Sequence, residues 1–245
     1  MNIAISQINT TVGDFDGNSD KIVDAWRHAD EAGAELVVLP ELALCGYPPR
    51  DLLAKPTFLR QNQVALDRLA KRGGRAVAVV GYASVNETNS GRPARNSAAV
   101  LRDGQVAALR HKTLLPTYDV FDEDRYFEPA TDNTPVEILG KKIGITICED
   151  IWNDEVFLND RRYGRSPTDE LTGGGAELLL NLSASPWNLG KEHSRHVLLS
   201  QLSTKAGCPV VYCNLVGGND ELVFDGGSQY YNGHGVLGAS GAMFA

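Results

Sequence analysis

Short apolar runs alternate with amphipathic helical segments along almost the whole chain, and this alternation limits the fold more than any other feature. The run AELVVLPE (34–41) carries no polar residue between Glu35 and Glu41, and such a run reads as a strand buried on both faces. NIAISQI (2–8), RAVAVVGYAS (75–84), KKIGITIC (141–148), AELLLNLSAS (176–185) and CPVVYCN (208–214) are expected strands too. NSAAVLRDGQVAALRHK (96–112) reads as a strand pair turning at Asp103-Gly104, a strong hairpin signal. ELVFDGGSQYYNGHGV (221–236) reads as a last hairpin or strand pair. The spacing predicts a helix over 18–33, with Asn18 and Ser19 as caps, Ile22, Trp26 and Ala29 on one face, and Gly33 as its stop. Further helices are expected over 56–74 and 190–207, and one ends in TDELTGGG (168–175). Helices between apolar strands need a sheet to cover, so the expected fold is layered α/β.

The chain has 245 residues, an ordinary length for one α/β domain. Its 31 acidic against 23 basic residues give a net charge of −8. That argues against nucleic acid or an anionic membrane as partner, because both require a basic face. The first residues, MNIAISQINT, lack a basic segment followed by an apolar core, so they do not read as a signal peptide. No apolar stretch approaches the roughly 20 residues of a membrane span. A cytoplasmic protein is the expectation. Of the four cysteines, Cys45, Cys148, Cys208 and Cys213, none forms a C-x-x-C pair, which argues against zinc or a redox motif.

Three apolar strands end on reactive groups: Glu41, Lys112 and Cys148. In open α/β sheets, sites gather where strands end and loops begin. Cys148 taken alone could be a core hydrophobe, a metal ligand or a nucleophile. If the three converge, their chemistry is coherent. A carboxylate can take the thiol proton. An ammonium can hold the oxyanion of a tetrahedral intermediate, with the N–H of Glu149 as a second donor. The product is a thioester that water then hydrolyses. Two long polar stretches, 117–134 and 153–170, are charged, aromatic and irregular, as functional loops often are.

LPELALCGYPPRDL, HKTLLPTYDVFDEDRYF, GITICEDIW, NLSASPWNLGKEHSR and DELVFDGGS together resemble the carbon–nitrogen hydrolase (nitrilase) superfamily. Within it the chain is most similar to the glutaminase domains of glutamine-dependent NAD synthetases. The likeness runs in order through nearly the whole chain. It implies an αββα sandwich, usually oligomeric through its helical faces. It implies a Glu41–Lys112–Cys148 triad, a second glutamate at Glu123, and Tyr118, Ser185 and Lys191 as glutamine contacts, with Lys191 on the α-carboxylate. It implies L-glutamine as substrate, with no metal or organic cofactor for the hydrolysis. ATP and magnesium belong to a synthetase half marked by S-G-G-x-D-S, a motif that these 245 residues do not contain. Residues 1–245 are therefore expected to be a single hydrolase domain excised from a longer synthetase. The alternatives are a stand-alone aliphatic or ω-amidase and a catalytically silent interaction domain.

Rival features are weaker. Cys45, Cys208 and Cys213 are expected in the core. A Cys–His pair with His111, His193, His196 or His234 would need the glycine-flanked elbow of another enzyme class, and ITICEDI has no glycine around the cysteine. His111 and Lys112 are neighbours on a strand, so they point to opposite faces. His193 and His196 read as a charged helix surface. Gly173–Gly175 lacks a following Lys-Ser/Thr and reads as a loop.

Overall fold

A computed structural model describes residues 1–88, 90–153 and 163–245. The stretch 153–170 therefore lies partly outside the described residues. The chain opens with β1 (Ile3–Ile5), α1 (Phe15–Glu31) and β2 (Leu36–Val38), and α2 (Pro56–Arg72) follows. Next come β3 (Val77–Val85), β4 (Ala94–Arg102), β5 (Gln105–His111), β6 (Val136–Ile138) and β7 (Lys141–Ile147). The last part holds α3 (Pro167–Gly173), β8 (Leu178–Ser183), α4 (Lys191–Ala206), β9 (Val210–Asn214), β10 (Val216–Asn219), β11 (Leu222–Asp225), β12 (Gln229–Tyr231) and β13 (Leu237–Ser240).

Two sheets carry the fold. One runs in the order β1-β2-β3-β4-β5, the other β13-β12-β9-β8-β7-β6. Strands joined through helices pair in parallel, as β1 with β2 and β7 with β8 with β9. Strands joined by short turns pair antiparallel. The β4–β5 turn is Asp103-Gly104, both at positive φ (53° and 77°), as a two-residue hairpin requires.

Strand alternation builds the layers. Leu36 and Val38 of β2 face Ile143, Ile145 and Ile147 of β7 and Leu178, Leu180 and Leu182 of β8 in one buried cluster between the sheets. Val37 and Leu39 point the other way, onto Ile22, Trp26 and Ala29 of α1 and Leu66 and Leu69 of α2. Beyond the second sheet, Leu198, Leu199 and Leu202 of α4 and Leu171 of α3 pack on Leu179, Val210 and Tyr212. Helices, sheet, sheet, helices give the expected αββα sandwich. The full burial of β2 on both sides follows, since one face meets helices and the other the second sheet.

Two details differ from the sequence reading. Helix α1 begins at Phe15, with the Asp14 carboxylate accepting from Gly17 N. Asn18 and Ser19 lie inside the helix and are buried. Asn18 bonds back to the Thr11 carbonyl and Ser19 to that of Phe15. The 221–236 stretch makes two hairpins: β11 pairs back on β10, and β12 turns into β13. Gly226 and Gly227, both in the left-handed region, separate them. Among the described residues no helix is long and apolar enough to cross a membrane.

Candidate active site

Glu41 sits just past β2 on a tight turn and has no exposed surface. The turn presses on β3 at Gly81, where any Cβ would run into the backbone of Pro40–Leu42. A glycine is required there for close approach. The Leu44 N–H seals the contact by donating to the Gly81 carbonyl at 3.1 Å. One Glu41 oxygen, Oε1, accepts from Lys112 Nζ at 2.7 Å and from Asn96 Nδ2 at 2.7 Å. The other, Oε2, accepts from the Ala184 N–H at 2.9 Å.

Lys112 follows β5 and is 1% exposed. Its Nζ also donates to both oxygens of Glu123 at 2.8 Å. Glu123 lies in the acidic loop 117–134, yet it is the one acid there that turns inward. Tyr47 OH donates to its Oε1 at 3.1 Å. Burial pulls the Lys112 ammonium down, but the charges of Glu123 and Glu41 outweigh this and hold it well above the ordinary range. The ammonium therefore stays charged. Burial, aided by the charge of Glu41 and opposed by Lys112, raises the Glu123 carboxyl to about 7.

Cys148 follows β7 and opens a short 3₁₀ turn, Cys148–Ile151. Its φ of 44° places a non-glycine residue in the left-handed region, where side chains other than Asn and Asp are uncommon. An elbow thus exists without flanking glycines, which sequence reasoning did not expect. Asp150 holds it. One carboxylate oxygen accepts from Ile147 N at 2.9 Å, and the other from Thr113 N and Leu114 N at 3.0 and 2.8 Å. One buried carboxylate therefore ties the cysteine turn to the backbone just after Lys112. Burial raises the Asp150 carboxyl to about 6, against the pull of those N–H groups. The Cys148 thiol stands well above its ordinary range, chiefly by burial and then by the charge of Glu41, with Lys112 pulling the other way. Glu41, Lys112 and Cys148 are thus all buried, Lys112 directly on Glu41 and Cys148 near enough for both charges to act on its thiol.

Glu149 accepts from Tyr118 OH at 2.8 and 2.9 Å and from Tyr163 OH at 3.0 Å. Ser185 is buried, and its N–H donates to Asn214 Oδ1 at 2.9 Å. Lys191 opens α4 and stacks its Nζ 4.1 Å from a Trp152 ring centre. Burial lowers its ammonium, and the neighbouring Cys148 and Glu149 partly restore it.

Asn96, Asp150, Tyr47 and Asn214 were not singled out in the sequence. Asn96 alternates correctly in β4 and gives no signal. Asp150 stood inside CEDIW, where its three backbone partners could not be foreseen. The rival groups lie elsewhere. His111 bonds Ser97 Oγ through Nδ1 at 2.7 Å, away from Lys112, and burial lowers it to about 4. His196 shares a 2.6 Å hydrogen bond with Tyr231 OH. Cys45, Cys208 and Cys213 pack in the core. Among the described residues no group of three or more His, Cys, Asp or Glu side chains is arranged to hold a metal ion.

Known proteins resemble this chain throughout its length. A glutamine-dependent NAD(+) synthetase of Synechocystis sp. is 44% identical over 243 residues, covering 97% of this chain and 44% of the relative. The solved structure of glutamine-dependent NAD+ synthetase from Acinetobacter baumannii superposes with a TM-score of 0.88 at 34% identity, covering 99% of this chain and 43% of that one. An amidase from Nesterenkonia sp. shares the fold, with a TM-score of 0.81 at 24% identity, over 99% of this chain and 86% of its own. The chain thus spans less than half the length of the synthetases that it matches. The carbon–nitrogen hydrolase family description fits residues 2–240, and the chain belongs to that family.

Proposed function

We propose that this chain hydrolyses the side-chain amide of L-glutamine, as the glutaminase part of a glutamine-dependent NAD synthetase. The observation that carries the reading is a fully buried lysine held by two carboxylates beside a cysteine on a strained turn. A charged lysine is costly to bury, and a surface role gives no reason for it.

The Cys148 Sγ attacks the amide carbon while Glu41 takes the thiol proton. Because the resting thiol is held above its ordinary range, a base must act as the bond forms. Lys112 Nζ and the Glu149 N–H hold the oxyanion. The C–N bond breaks, Glu41 returns the proton to nitrogen, and ammonia leaves a γ-glutamyl thioester. Water adds with its proton going to Glu41. The C–S bond then breaks, the thiol regains that proton and glutamate departs. Tyr118, Ser185 and Lys191 bind the amino-acid end, with Lys191 on the α-carboxylate. Glu123 keeps Lys112 charged and aimed.

On this reading residues 1–245 are one hydrolase domain. A synthetase half, using ATP and magnesium, receives the ammonia to complete NAD from its deamido precursor. The length of the synthetase relatives supports that arrangement. A cytoplasmic setting fits the acidic composition, and homo-oligomerisation rests on the family likeness. The test is ammonia release from L-glutamine and from simple aliphatic amides, beside Cys148→Ala. Glutamine-selective release that disappears in Cys148→Ala is expected. Release from simple amides alone would assign a general amidase. No release, with Cys148 no more reactive to iodoacetamide than free cysteine, would assign a silent domain.

A further inference from the structure

A guanidinium lies almost wholly inside the molecule behind this site, and none of the steps above uses it. Arg195 of α4 is 1% exposed. Its Nη1 and Nη2 donate to the two oxygens of Asp225 at 3.0 and 2.9 Å. Asn214 Nδ2 donates to Asp225 Oδ1 at 3.1 Å and to the Gly226 carbonyl at 3.0 Å. The other end of the Asn214 amide accepts from Ser185 N at 2.9 Å. Gly227 lies at φ 59°, and a Cβ there would stand 3.2 Å from Arg195 Nη1, so the backbone packs directly on the guanidinium. The Arg195 Cζ also lies 5.3 Å from the Tyr212 ring centre.

Two lines run outward from this post. Lys191 and Arg195 are four apart on α4, hence one turn apart on the same face. Fixing Arg195 fixes the first turn of the helix, and with it Lys191. Through Asn214 the same pair holds the backbone of Ser185. Among the described residues, neither Arg195 nor Asp225 hydrogen-bonds Glu41, Lys112 or Glu123.

We propose that Arg195 and Asp225 are a positioning pair that sets Lys191 relative to Ser185, so that the site selects an amide bearing an amino-acid α-carboxylate over a simple amide. This rests on the reading of Lys191 and Ser185 as substrate contacts. It acts on substrate binding, and the thiol chemistry lies outside it.

Arg195→Met alone leaves a carboxylate buried without its cation, and that variant risks unfolding. The double variant Arg195→Met/Asp225→Leu replaces the pair with apolar side chains of similar size, and Asn214→Ala cuts the link to Ser185, removing one donor from Asp225 but keeping both Arg195 hydrogen bonds to it. In both, the glutamine concentration that half-protects Cys148 from iodoacetamide, and the KM for glutamine, rise at least about ten-fold. The alkylation rate without glutamine stays within about two-fold, since the triad geometry is untouched. A parent-like glutamine requirement in either folded variant overturns the positioning role. A parent protein that glutamine neither protects nor saturates overturns the substrate reading, and the pair's role with it.

Discussion

Glu123→Gln separates the charge balance at Lys112 from its geometry. Both Glu123 oxygens accept from Lys112 Nζ at 2.8 Å, and a glutamine keeps one acceptor in that place. What it removes is a titration. The carboxyl rises from the ordinary 4.5 to about 7 on burial. At about 1.4 kcal/mol per pH unit, that corresponds to about 3 to 4 kcal/mol. The sign is fixed by the direction of the shift. A raised folded-state value means that the folded protein holds the proton more tightly. The contribution is whole below about 4.5 and is lost as the pH rises through about 7. The parent protein therefore loses up to about 3 to 4 kcal/mol at this site between pH 4.5 and 7, and Glu123→Gln does not. Urea unfolding of both proteins at several pH values across that window reads the difference directly. The variant is expected to be less stable than the parent at the acid end and to approach or pass it at the alkaline end. Parallel stability curves would refute the burial argument, because they would mean that Glu123 titrates like an exposed acid.

Gly81→Ala drives a methyl into the Pro40–Leu42 turn. It is expected to cost about 1–3 kcal/mol in urea unfolding as overpacking does, and to lower glutamine kcat/KM by on the order of 10²-fold by displacing Glu41. Asp150→Asn turns one of its acceptors into a donor facing a backbone N–H. The expected loss is about 1–3 kcal/mol, with slower iodoacetamide alkylation of Cys148, since the cysteine turn loses its tie to the Lys112 strand end. A parent-like alkylation rate would remove Asp150 from the account.

The layers were legible because burial on two faces leaves an unbroken apolar run, as in β2, and burial on one leaves a helical stripe, as Ile22, Trp26 and Ala29 do on α1. The Asp103-Gly104 turn was legible because so few residue pairs accept two positive φ values. Strand order was not, since the pairing of β12 with β9 and of β7 with β8 joins residues far apart in the chain. At the site, Glu41, Lys112 and Cys148 stood out as reactive groups closing apolar strands. Asn96, Asp150 and Asn214 did not, because what they do depends on groups 29 to 55 residues away in the chain. The start of α1 was misplaced because Asn18 and Ser19 have cap chemistry, and only the chain's path shows that Asp14 takes the role.

On the proposed function, the Cys148 thiol opens glutamine. The most direct test is mass spectrometry of the protein quenched in acid during turnover, followed by peptide mapping. A γ-glutamyl thioester is expected on the Cys148 peptide, absent without glutamine and absent in Cys148→Ala. Ammonia release with no adduct on that peptide, and with activity surviving in Cys148→Ala, would contradict it.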